Sequence, residues 1–155
     1  MRPIVSSKNS DPEVAEIRLV VVFSSLLVIA FIVAIASGIW LNSAWCDDAP
    51  EAVVDSLRVW HLVSGIISIV LGCVHVWFNR GWYRHLLQVE PSEWYRVVQY
   101  RLMPVMTMLF AAVAVTGLLI LCGLHGLISF HQGCGLLMGV FAIGHIVARV
   151  RAIFK

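Results

Sequence analysis

The sequence predicts an all-α integral membrane protein, a four-helix bundle of two repeated helix pairs with both termini cytoplasmic. Three observations predict it. The chain is 60% hydrophobic and only 13% charged, with mean hydropathy +0.89, too little polar surface for a soluble domain of 155 residues. Four apolar stretches are each long enough to cross a hydrocarbon core of about 30 Å. The basic residues collect on alternate connections, as the positive-inside rule requires.

A tail covering residues 1–16 precedes the first span, which runs from about Ile17 to Leu41. That stretch is too long for a signal-peptide core and lacks a clear small-residue cleavage site, so it reads as a retained helix. The second span runs from about Leu57 to Asn79, the third from about Leu102 to Leu124, and the fourth from about Phe130 to Val150. Together they make residues 17–155 one membrane domain. Lipid offers no hydrogen-bond partners, so the segments must be helices. Their unbroken apolar character argues against the alternation of a barrel strand.

Arg2, Lys8 and Arg18 precede the first span. Arg80, Arg84, Arg96 and Arg101 lie between the second and third, and Arg149, Arg151 and Lys155 close the chain. Ten of the eleven Lys and Arg residues thus share one side, and Arg58 is alone on the other. The expected location is the inner (cytoplasmic) membrane of the cell, multi-pass. The first outer loop is acidic, with Asp47, Asp48, Glu51 and Asp55. No basic run suggests nucleic acid. Between Arg80 and Arg101, Trp82, Tyr83, Trp94 and Tyr95 mix with arginines, a pattern suited to headgroup depth; lipid anchoring is favoured there over partner docking.

Four cysteines occur, at positions 46, 73, 122 and 134, without a Cys-x-x-Cys pair or a c-type haem attachment motif. Cys73 and Cys122 are expected as small buried hydrophobes. Cys46 and Cys134 fall near one membrane face, and nothing in the sequence pairs them.

Four of the six histidines form a pattern. His61 and His75 occupy the second span, His131 and His145 the fourth. The members of each pair are 14 residues apart, within about 40° of four full turns, so they share a helix face and sit about 21 Å apart along the axis. A glycine follows the first histidine at the same spacing in both spans (Gly65, Gly135), so the motif repeats with an offset of 70 residues. Along the stripe the second span reads His61, Gly65, Ser68, Gly72, His75, and the fourth reads His131, Gly135, Met138, Ala142, His145. Small residues there either leave room for a flat ligand or let helices approach closely.

The two spans run in the same direction, so His61 and His131 share the outer level and His75 and His145 the inner. Two imidazoles from facing helices are what a six-coordinate haem iron takes above and below its macrocycle. The expectation is two b-type haems per chain, with Gly65, Gly72 and Gly135 making room. His85 and His125 fall outside the repeat, where surface or capping roles are favoured. His125 is an alternative to His131 at the outer level. Arg58 outside, and Arg80, Arg84, Arg101 and Arg149 inside, are candidate partners for haem propionates, although membrane topology alone also explains the inner arginines. Ser64, Ser68 and Thr107 are candidates to tune the ligands, with helix packing the plainer role. A fainter echo, Ser37-Gly38 in the first span and Thr116-Gly117 in the third, suggests that these two spans pack around the haems.

The segment from Trp60 to Trp77, its echo from His131 to His145 and the Ser/Thr-Gly pairs resemble a four-helix membrane di-haem cytochrome b-like family of the flavinylation-associated type, over nearly the whole chain beyond the tail. The resemblance implies electron transfer between the quinone pool and a redox partner, a flavin-containing protein being one such partner. A quinone-site motif does not stand out. Whether the chain itself oxidises quinol or serves as the membrane subunit of a larger quinone-linked oxidoreductase is left open. Two other classes stay in view: a metal or proton transporter with a histidine relay, whose expected acidic residues beside the histidines are missing from the spans, and a non-redox assembly subunit.

Overall fold

The computed structural model describes residues 12–81 and 94–153, with side chains described for 18–81 and 102–147. Four long helices follow one another: α1 (Pro12–Cys46), α2 (Glu51–Phe78), α3 (Trp94–Leu121) and α4 (Ile128–Ile153), with a 3-10 turn (His125–Leu127) before α4. There is no strand among the described residues. The four stretches Arg18–Cys46, Glu51–Phe78, Leu102–Leu121 and His125–Val147 are long and apolar enough to cross a membrane. Residues 1–11 of the tail and the stretch 82–93, with Trp82, Tyr83, Arg84 and His85, lie outside the described residues. So do the side chains of Trp94, Tyr95, Arg96, Arg101, Arg149 and Arg151.

Most helices outrun their apolar stretches. α1 starts at Pro12 and ends at Cys46, α2 starts at Glu51, and α3 starts at Trp94. Hydropathy marks only what must sit in hydrocarbon, whereas the hydrogen-bond ladder continues into the interface until something stops it. At Pro12 the missing N–H is one that the first turn leaves unpaired anyway. α3 ends short of Leu124 because Gly123 takes φ +97, the left-handed conformation that closes a helix. α2 ends where the Asn79 side chain and backbone N–H both donate to the His75 carbonyl, at 2.7 and 3.1 Å.

α1 packs along α2 and α3 along α4, as two antiparallel pairs, with α1 also touching α4. Within the first pair, the register runs from Ser24 beside His75 at one end to Gly38 beside His61 at the other. The rings of Phe23 and Phe78 add a contact at 6.0 Å. Between pairs, the side chain of Ile35 meets Gly139, the Phe110 ring lies on Gly72, and Gln132 donates to Asn42 at 3.0 Å.

The burial pattern is that of a protein in lipid. Among the described residues, the buried apolar side chains are Ala30, Ala34, Met103 and Met138, and the buried polar ones Ser37, Ser64, Ser68 and Thr116. Ile, Leu, Val and Trp side chains cover the outside; Val140 is 67% exposed and Trp40 65%. Water would not tolerate that surface, and lipid favours it; small residues inside then let the helices approach. Each buried hydroxyl donates to its own backbone one turn back, for example Ser68 to the Ser64 carbonyl at 2.8 Å. Ser64, Ser68 and Thr107 bond in this way.

Cys73 and Cys122 are exposed rather than buried, and all four cysteines are free. A membrane span is apolar all round, so apolar neighbours in sequence do not imply burial inside the bundle.

Candidate functional site

The inward stripe of α2 is the predicted one. Ser64, Ser68 and Gly72 are its buried residues, with His61, Gly65 and His75 half-buried beside them. On α4, His131, Gly135, Ala142 and His145 are half-buried around the buried Met138. Both stripes therefore face the interior rather than lipid.

At the level that the basic residues predict to be the outer one, the rings of His61 and His131 come together, with centroids 6.0 Å apart and planes at 89°. That separation also suits plain edge-to-face packing, so distance alone decides nothing. The hydrogen bonds do more. His61 Nδ1 lies 2.8 Å from the Ala34 carbonyl oxygen. A carbonyl only accepts, so Nδ1 carries the proton and Nε2 keeps its lone pair.

His131 Nδ1 lies 3.0 Å from Thr116 Oγ1. The single hydroxyl proton of Thr116 is already donated to the Ala112 carbonyl at 2.6 Å. The oxygen therefore accepts from the imidazole, and Nε2 of His131 is also unprotonated. Two neutral imidazoles with their Nδ1–H groups held by the protein are the arrangement that metal-ligating histidines display. Two such rings on opposite sides of one metal, each nitrogen about 2.0 Å from it, would place their centroids about 6 Å apart.

Each ring is admitted by a glycine of the neighbouring helix. A Cβ on Gly38 would stand 2.9 Å from His61 Cε1 and 3.0 Å from its Nδ1. A Cβ on Gly117 would stand 3.2 Å from His131 Cε1 and 3.6 Å from its Nδ1. The Ser37-Gly38 and Thr116-Gly117 echo thus has a structural meaning: the glycine seats the imidazole from the partner helix.

One turn inward of each outer histidine, Gly65 and Gly135 have no atom within 4 Å of where a Cβ would lie. Neither glycine serves helix approach, and each leaves open space on the histidine-bearing face. Gly72 differs. The Phe110 ring lies on it, with Cε2 and Cε1 2.9 and 3.0 Å from the Cβ position. In this structure Gly72 accommodates an aromatic side chain, not the open space expected for a ligand.

At the inner level, His75 Nδ1 is 3.1 Å from the Ser24 hydroxyl of α1, and His145 occupies the corresponding position on α4. Counting 14 residues inward from both outer histidines puts this pair at one depth, about 21 Å away. His125 lies exposed in the 3-10 turn, and His131 rather than His125 meets His61. Arg58 is exposed and paired with Asp55 at 2.8 Å. Arg80 stacks on Trp77, 4.4 Å from the ring centroid.

The described residues contain no group of three or more His, Cys, Asp or Glu side chains able to hold a bare ion. Two imidazoles suit a metal whose remaining positions are already filled by a macrocycle. The outer pair, with its free Nε2 atoms and the empty glycine faces beside it, fits a haem. Ser24, the Ala34 carbonyl, Thr116 and Phe110 carry much of this geometry, and only the Thr116-Gly117 dipeptide gave a sign of it in the sequence. No family model, curated protein or solved structure matches this chain.

Proposed function

We propose that this protein moves electrons across a membrane through two bis-histidine b-type haems. His61 and His131 hold the outer haem, and His75 and His145 the inner one. The observation that carries this reading is the paired commitment of both outer Nδ1–H groups to acceptors on α1 and α3. It leaves two Nε2 lone pairs on neighbouring rings, beside glycine faces that nothing fills. The haems would supply one-electron chemistry; the chain supplies ligands, burial and a path perpendicular to the membrane.

The basic-residue distribution supports cytoplasmic termini and placement in the cell's inner membrane. The connections 47–50 and 122–127 are short, which favours a role as the cytochrome subunit of a larger redox complex. Quinone and quinol on one side and a redox protein, flavin-containing in the reading by resemblance, on the other are its proposed exchange partners. Arg58 has further guanidinium N–H groups beyond the one given to Asp55, enough to meet a propionate at the outer face.

The test is a dithionite-reduced minus oxidised optical spectrum of detergent-purified protein made with ample haem, with haem quantified per chain. Two b-type haems per chain are expected, falling to one in His61→Ala and in His75→Ala. Protein that carries no haem under these conditions would end the proposal.

A further inference from the structure

The Ser37-Gly38 and Thr116-Gly117 dipeptides close a longer repeat. Phe31 precedes the first and Phe110 the second at the same distance, so α1 and α3 share the pattern Phe-x5-Ser/Thr-Gly. Register fixes the depth of both rings. On α1, Ser24 lies beside His75 and Gly38 beside His61, and position 31 is seven residues from each. On α3, Gly117 lies beside His131, and the position matching Ser24 is Met103, which is buried. Position 110 is again seven residues from each. Seven residues come within about 20° of two full turns and advance a helix about 10 Å. Phe31 and Phe110 therefore stand on the faces that seat the histidines, midway between the two histidine levels.

Phe110 is the one seated on the opposite hairpin. Its ring reaches α2 and lies on Gly72, with Cε2 and Cε1 2.9 and 3.0 Å from where a Cβ would be. Gly72 is buried on the ligand stripe, between Ser68 and His75. The matching position on α4 is Ala142, which carries a methyl in its place. Elsewhere the interior of the first pair is built of small side chains, Ala30, Ala34, Ser37, Ser64 and Ser68, as close helix approach in lipid requires. A ring that spans two helices, and needs a glycine opposite it, is a different device.

We propose that Phe110 bridges the two haem sites, its ring filling the space between the histidine levels and carrying the electronic coupling across it. The inference rests on the proposed function. One electron leaves the iron at one level and arrives at the iron at the other; no bond forms or breaks, and the ring is neither oxidised nor reduced. Coupling between two redox centres decays steeply across empty space and less steeply through packed atoms. A ring at the density of a protein interior leaves no such gap, and its π orbitals lie closer in energy to those of a macrocycle than an aliphatic chain's do.

Phe110→Leu keeps an apolar side chain on α3 and removes the ring. In protein with two haems per chain and both midpoint potentials at wild-type values, electron exchange between the haems after rapid photoreduction is expected to slow severalfold. A wild-type rate in such protein overturns the proposal. Wild-type protein that takes up no haem overturns the functional reading and the bridge with it, whereas full haem content with an unchanged rate overturns the bridge alone.

The place of the ring is read without any electron exchange. With para-fluorophenylalanine at position 110 of the full chain, the fluorine NMR signal is expected to move on oxidation in His61→Ala and in His75→Ala alike. Each variant keeps one paramagnetic ferric centre, and the ring stands between both. A signal indifferent to oxidation in either variant overturns the proposal. In haem-free protein the same signal is expected to shift in Gly72→Ala, and an unmoved signal there overturns the seat on α2. Should Phe110→Leu not accumulate, these fluorine measurements still decide the matter.

Discussion

Gly38→Ala should be costly where a helix glycine is ordinarily replaced at a gain. In a helix interior, alanine is favoured over glycine by about 1 kcal/mol. Here the new methyl would lie 2.9 Å from His61 Cε1 and 3.0 Å from Nδ1, against a comfortable contact of about 3.5 Å. The imidazole must retreat by about half an ångström, away from the Ala34 carbonyl that holds it at 2.8 Å. Losing that bond costs about 1 kcal/mol, and the overpacking adds about 1–3 kcal/mol. Subtracting the propensity gain leaves a net destabilisation of about 1–3 kcal/mol.

Gly117→Ala is the internal control. Its methyl would stand 3.2 Å from His131 Cε1 and 3.6 Å from Nδ1, so a shift of a few tenths of an ångström suffices and the net change is near zero. Thermal unfolding in detergent, followed by circular dichroism, should place Gly38→Ala lower than Gly117→Ala by several degrees, since 1 kcal/mol moves Tm by about 2–4 °C in a protein of this size. Haem per chain should fall more in Gly38→Ala as well. Equal stability of the two variants, or the reverse order, would refute the reasoning.

Gly65→Ala and Gly135→Ala place a methyl where no atom lies within 4 Å, so the haem-free fold should be unchanged or gain up to about 1 kcal/mol. Gly65→Leu should keep the helical signal and lose the outer haem; full haem content in Gly65→Leu would remove the cradle from consideration. Ser24→Ala withdraws the hydroxyl 3.1 Å from His75 Nδ1, at a cost of about 1 kcal/mol. A redox titration should then show the inner haem displaced and the outer one unmoved. Gly72→Ala should destabilise through its collision with the Phe110 ring, and adding Phe110→Ala should recover part of the loss. A double-mutant cycle with a coupling below about 0.5 kcal/mol would mean that the contact carries no energy.

The four spans are legible because hydrocarbon imposes one length and one chemistry, and few soluble elements share both. Helix ends are less legible: nothing in the apolar run from Ile17 says that the ladder reaches back to Pro12, since hydropathy does not report hydrogen bonding. The histidine stripes could be read because both members of each pair lie on one helix, where spacing fixes geometry. What holds those histidines lies on other helices, and only folding decides which. Ala34 gives no sign of its part, because its carbonyl acts and every residue has one. Gly65, Gly72 and Gly135 look alike in sequence, yet the first and last face open space while Gly72 lies under a ring from α3. Cys73 misleads for a similar reason: a span does not announce which of its faces meets a neighbour.

The seam between the two pairs has a consequence for assembly. Within each pair the helices pack along their length, whereas between pairs the joints include side-chain touches such as Ile35 on Gly139 and Gln132 on Asn42. In the proposed sites, every level takes one ligand from each pair, so neither hairpin completes a site alone. Cofactor loading would then act as the clasp that joins the halves, concentrating its binding energy on the weakest boundary of the molecule.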